Sequence, residues 1–154
     1  MKIAGKKVEA PKPTIVAFAR EDGDLVFHVG AVLDFTPFEK ICQEPKPTEV
    51  VMADGHKEFR EDHFYQTNVR KYNKRRLDWM VLQSLKVTPG LEWERVNLED
   101  PDTWELYEEE LRETFNQGEI NILISAVINA NSANEDKMRE AKERFLATRS
   151  QQST

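Results

Sequence analysis

The amino-acid sequence predicts a small α+β fold: an N-terminal antiparallel β-hairpin or small sheet, one long central helix and a C-terminal three-helix group. Three observations predict it. Two apolar runs, Ile15-Val16-Ala17-Phe18-Ala19 and residues 25–33, flank an Asp22-Gly23 turn. A long segment of helical spacing opens at Asp62 and stops at Thr88-Pro89-Gly90. Three helix starts then follow in succession, at Asp100-Pro101, Asn116 and Ser132.

Each element has a local cause. Residues 1–13 carry lysines, Pro11 and Pro13 with little apolar content, and read as a mobile arm or a short edge strand. An Asp-Gly pair between strand-like runs is a hairpin signal. Thr36-Pro37 reads as an N-cap followed by proline at the first helical position. Phe38, Ile41 and Cys42 give that short helix its apolar face, and Pro45 and Pro47 end it. Glu49-Val50-Val51-Met52 reads as a strand turning at Asp54-Gly55 and returning over residues 57–60. From Asp62 to about Lys86, Tyr65, Val69, Tyr72, Leu77, Met80, Val81 and Leu85 keep helical spacing.

Leu91-Glu92-Trp93-Glu94-Arg95-Val96 alternates apolar and charged residues, the pattern of a half-buried strand. Asp100-Pro101 opens a helix with the stripe Trp104, Tyr107, Leu111, Phe115. Asn116-Gln117-Gly118-Glu119 and Ser132-Ala133-Asn134-Glu135 both read as capping boxes, a polar N-cap with glutamate three residues on. The first introduces Ile120, Leu123, Ile124, Val127 and Ile128, with Ile122 on the opposite side. The second introduces the weaker stripe Met138, Ala141, Phe145. The expectation is a single domain over residues 1–154. It has an arm at 1–13, a β-rich part at 14–60, a mainly helical part at 61–147 and a frayed tail at 148–154.

Composition narrows the class. With 28 acidic against 22 basic residues and a net charge of −6, the molecule as a whole is repelled by nucleic acid and anionic membrane. No apolar stretch approaches the roughly 18 residues of a membrane span. The N-terminus is basic but lacks the apolar core of a signal peptide. Cys42 is the lone cysteine and has no partner for an intramolecular disulfide or a zinc site. A reducing, intracellular compartment is expected.

No arrangement for chemistry stands out. The phosphate-loop, dinucleotide-fold and nucleophile-elbow patterns are missing. His28, His56 and His63 lack metal-ligand spacing, and Asp22-Gly23-Asp24 and residues 129–136 lack the calcium-loop pattern. Cys42 beside Ile41 reads as packing, Glu92 and Glu94 as solvated surface, and Trp79, Trp93 and Trp104 as core. No catalytic residue, cofactor or metal is expected, and the chain reads as a non-enzyme.

The run Arg70-Lys71-Tyr72-Asn73-Lys74-Arg75-Arg76 leaves three readings open. It could contact nucleic-acid phosphates with Tyr72 stacking, or be a solvated helix face. It could also dock on the acidic stretch Asp100, Asp102, Glu105, Glu108, Glu109, Glu110, Glu113, within the chain or between copies.

A family resemblance takes the reading further. Leu91-Glu92-Trp93-Glu94, Val96-Asn97-Leu98, Asp100-Pro101-Asp102-Thr103-Trp104 and Glu109-Glu110-Leu111 resemble the C-terminal half of tail assembly chaperones of long-tailed, siphovirus-like bacteriophages. Glu119-Ile120-Asn121, Ala130-Asn131, Glu140-Ala141 and Phe145-Leu146 continue the likeness, as do residues 31–35, Phe38-Glu39-Lys40 and residues 79–85. The resemblance implies a non-enzymatic protein of the host cytoplasm. Such a protein binds the tape-measure protein, keeps its apolar helices soluble and recruits tail-tube subunits. It transfers no catalytic or binding residue. From the residues themselves, Ile122 is the candidate partner contact. The alternatives are a small nucleic-acid-binding regulator using residues 70–76 and a minor structural tail or head-completion protein.

Overall fold

The computed structural model describes residues 1–152. Six strands form three separate antiparallel hairpins, and the C-terminal half is helical, a mixed α+β architecture. β1 (Lys2–Ile3) and β2 (Lys6–Lys7) make a minimal hairpin turning at Ala4 and Gly5, and every residue of the arm 1–13 is exposed.

β3 (Thr14–Phe18) pairs with β4 (Leu25–Val29) from Thr14↔Val29 to Phe18↔Leu25, across a turn where Gly23 holds φ 120°. Phe18, Phe27 and Val29 face the core, while Ile15 and Val26 face solvent. The return strand ends at Val29, short of the expected residue 33. Past it the backbone leaves its partner strand: the Gly30 N–H donates to the Ser84 carbonyl at 2.9 Å. A Cβ on Gly30 would lie 3.2 Å from Val87 Cγ2, so glycine permits this close approach. The Thr88 hydroxyl accepts the His28 N–H at 2.9 Å and donates to the His28 carbonyl at 3.0 Å, sealing the free edge of β4.

α1 (Thr36–Ile41) begins one residue earlier than expected. Thr36 is its first residue, and the Asp34 carboxylate accepts the Thr36 N–H at 2.9 Å. Fully buried Phe38 meets the rings of Tyr72, Trp79 and Trp104 at 5.3, 5.7 and 6.2 Å. Ile41, expected on the same face, is exposed.

β5 (Thr48–Val51) and β6 (Lys57–Arg60) form the third hairpin, with Val51 and Phe59 exposed. α2 (His63–Leu85) follows, capped by Asp62, whose carboxylate accepts the Tyr65 N–H at 2.9 Å. At 23 residues α2 is about 35 Å long. Its buried residues, Asp78, Trp79, Val81, Leu82, Ser84 and Leu85, all lie in its last eight positions. None of residues 46–71 is buried, so the β5–β6 hairpin and the start of α2 stand outside the core.

The strand expected over residues 91–96 does not form. Leu91, Trp93 and Val96 do pack inward, with Trp93 edge-on to Tyr107 at 6.3 Å. The backbone, however, finds a carboxylate in place of a strand partner: the Glu94 and Arg95 N–H groups donate to Glu110 at 2.7 and 3.2 Å. Asp100 then caps a 3-10 turn, Pro101–Leu106, by accepting the Asp102 N–H at 3.1 Å. α3 (Tyr107–Thr114) continues from it. Trp104, Tyr107 and Leu111 are buried, and Phe115 closes over Phe18 and Phe27 at 5.3 and 5.5 Å.

α4 (Gln117–Ala130) starts with the expected capping box. Asn116 Oδ1 accepts the Glu119 N–H at 2.8 Å, and Glu119 Oε1 accepts the Asn116 N–H at 3.2 Å. Glu119 also binds the Arg20 guanidinium at 2.8 and 3.0 Å, fastening the β3–β4 turn to the start of α4. α5 (Glu135–Gln152) does not use the second expected box. Its cap is Asn134, whose Oδ1 accepts the Lys137 N–H at 3.1 Å; the Ser132 hydroxyl instead donates back to the Ile128 carbonyl at 2.7 Å. The tail expected to fray is helical through Gln152, and residues 153–154 lie outside the described residues.

Candidate interaction site

α4 presents two different faces to its surroundings. Leu123 and Val127 are buried against α2 and the β3–β4 hairpin, as the stripe requires. Ile122 is 58 % exposed and Ile128 46 % exposed, so the residue singled out from the sequence stands on the open side. Between α2, α3 and α4 runs a groove of about 610 Å³, lined in part by Leu77, Tyr107, Leu111, Ile120 and Ile124 and in part by the polar Gln117, Asn121 and Ser125. Glu108 and Arg112 sit on its rim, and Ile122 lies outside it. A groove between helices with an apolar side and a polar side suits an amphipathic helix.

The basic and acidic stretches meet within the chain. Lys74 donates to Asp78 at 2.5 Å and to Glu108 at 2.7 Å, Arg75 pairs with Asp102, and Arg76 lies over the Phe35 ring at 4.2 Å. Arg70 and Lys71 are the bases of that run left without a carboxylate or ring contact among the described residues. Burial pushes the Asp78 carboxyl up, against the pull of Lys74. The same burial opposes the Lys74 ammonium, but its bonds to Asp78 and Glu108 outweigh that and hold its pKa above the ordinary value. Burial raises the Tyr107 phenol strongly, with Asp78 and Glu108 adding to it.

The remaining candidate residues are scattered. His28 lies half-buried on β4, His56 bridges Asp54 and Glu58 on the exposed β5–β6 turn, and His63 begins α2. Among the described residues no three His, Cys, Asp or Glu side chains are grouped to hold a metal ion. Cys42 is buried, which raises its thiol pKa above the ordinary value. Trp79 and Trp104 are core residues; Trp93 is half-buried at the edge of α3.

One residue gains a role that the sequence does not announce. The Asn131 side chain accepts the Val32 N–H at 2.7 Å and donates to Ser84 Oγ and the Val127 carbonyl, each at 2.8 Å. It ties the segment after β4 to α2 and to the end of α4. An asparagine at a helix C-terminus signals only a stop, and its reach to Val32, 99 positions away, depends on the tertiary fold.

No family model, curated protein or solved structure matches the chain. No described helix is long and apolar enough to cross a membrane.

Proposed function

We propose that this chain is a tail assembly chaperone of a long-tailed, siphovirus-like bacteriophage. In this reading it works in the host cytoplasm, covers apolar helices of the tape-measure protein, and hands that protein to tail-tube subunits. It grips and releases a partner and catalyses no reaction. The observation that carries the reading is the partly apolar groove between α2, α3 and α4, with Ile122 and Ile128 exposed on α4. A holding protein requires apolar surface for its partner and net charge to keep the complex dissolved. The groove supplies the first and the charge of −6 the second.

The test is co-expression with a tape-measure protein followed by affinity capture. The parent chain retains the partner; Ile122→Glu retains several-fold less at unchanged helicity. Equal capture by both proteins would remove Ile122 from the contact, and no capture by the parent would remove the tape-measure reading. Retention on DNA that falls steeply with salt would favour the regulator alternative instead.

A further inference from the structure

α5 is unusual among the helices of this chain: none of its eighteen residues is buried. Isolated helices of about this length are marginal in water, and the stability of most protein helices comes from packing one apolar face. α5 has such a face and leaves it open. Phe145 is 61 % exposed; Met138 lies seven residues before it and Ala141 four before. Lys142, three residues before Phe145, and Arg149, four after, flank the same face. Of the four acids of α5, Asp136, Glu140 and Glu143 fall on the far side, and Glu135 lies at the helix start, seven residues before Lys142. Within α5 the ion pair is Arg139–Asp136; Lys142 and Arg149 make none among the described residues.

The surface complementary to this face is on the same molecule. A second groove, of about 220 Å³, runs between the segment at Trp93 and α3. It has an aromatic floor, with Phe27, Trp93 and Phe115, and an acidic rim that includes Glu92 and Glu94. Neither of those two carboxylates has an ion-pair partner among the described residues, unlike Glu109 and Glu113, which face Arg95. The groove is below the roughly 300–1,000 Å³ of small-molecule sites, which suits an inserted side chain better than a metabolite. It lies at Phe115, where α4 begins, whereas α5 leaves from the other end of α4, 14 residues or about 21 Å away. The groove and the root of α5 therefore lie at opposite ends of α4.

We infer that α5 of one copy docks on the Trp93–α3 groove of the next, Phe145 entering between the aromatic rings while Lys142 and Arg149 meet Glu92 and Glu94. Different patches meet at each contact, so the association is head-to-tail and does not stop at two copies unless a ring closes. One helix face is a small interface, so it is reversible and concentration-dependent. The contact does not rest on the chaperone reading: either can fail while the other stands.

Sedimentation velocity of the full chain over a hundredfold concentration range tests it. The mean mass rises above that of the monomer with concentration and falls again in high salt. Lys142→Glu with Arg149→Glu weakens association about tenfold or more, and Glu92→Lys with Glu94→Lys does the same. Mixing these two charge-reversed proteins restores it, because each then offers the other an opposite charge at both contacts. Circular dichroism confirms that each variant is folded; α5 buries nothing, so its substitutions leave the core intact. A chain that stays monomeric throughout, association indifferent to the α5 charges, or a mixture that fails to associate would each overturn the inference.

Discussion

Asn131→Ala removes three hydrogen bonds at once and leaves two groups stranded. The Val32 N–H loses its acceptor, and Ser84, 1 % exposed, loses the amide that donates to its hydroxyl. The Val127 carbonyl is spared, since the Asn131 backbone N–H still reaches it at 3.2 Å. A net hydrogen bond contributes about 1 kcal/mol, and an unsatisfied buried group costs about 1–3 kcal/mol. The expected loss is therefore about 2–4 kcal/mol, or roughly 5–15 °C in Tm for a chain of this size. Urea unfolding should show a lower midpoint at an unchanged slope, the signature of lost stability in place of a changed unfolded state. Asn131→Asp keeps the acceptor for Val32 but turns an anion toward Ser84 and the Val127 carbonyl, so its deficit should shrink as the carboxylate is protonated in acid. Asn129→Ala, an exposed position on the same helix, should stay within about 0.5 kcal/mol of the parent. A loss at Asn131 no larger than that at Asn129 would refute the clamp.

Neighbouring positions on α4 should respond in opposite ways: Leu123→Ala costs about 2–5 kcal/mol, whereas Ile122→Ala leaves the urea midpoint nearly unchanged. Cys42 should react with a thiol reagent in the folded protein far more slowly than in urea, because the side chain is buried and its thiolate disfavoured. Tyr107 holds its proton more tightly folded than unfolded. Its contribution is thus complete below the ordinary tyrosine pKa of about 10 and lost as pH rises past it. An ultraviolet titration should accordingly show Tyr107 ionising only at higher pH than an ordinary tyrosine, and Tyr107→Phe should flatten part of the fall in stability above pH ~10.

Where a local interaction decides the structure, the chain announces it. The Asp22-Gly23 turn, the Asp62 cap and the Asn116–Glu119 box each involve residues within a few positions, and each forms as expected. Where two local answers compete, the fold chooses. Ser132 and Asn134 are both good N-caps, and Ser132 is drawn back to the Ile128 carbonyl. Residues 91–96 have the alternation of a strand, but Glu110 on α3 takes the backbone donors that a second strand would have used.

The candidate site divides the same way. The exposure of Ile122 follows from helical phase alone. The groove beside it needs three helices brought together from residues 77 to 125, which no local pattern encodes. The stripe Met138, Ala141, Phe145 predicts a helix with a buried side, and the helix forms with that side open. Periodicity specifies a face to be covered without specifying that the cover belongs to the same chain.

The most direct measurement of the account is isothermal titration of the full chain with a purified helical segment of a tape-measure protein. Saturable binding with a negative heat-capacity change, from apolar surface leaving water, and a several-fold weaker affinity in Ile122→Glu, is the predicted result. No binding at any accessible concentration, together with turnover of a small molecule that vanishes on changing one polar side chain, would contradict it.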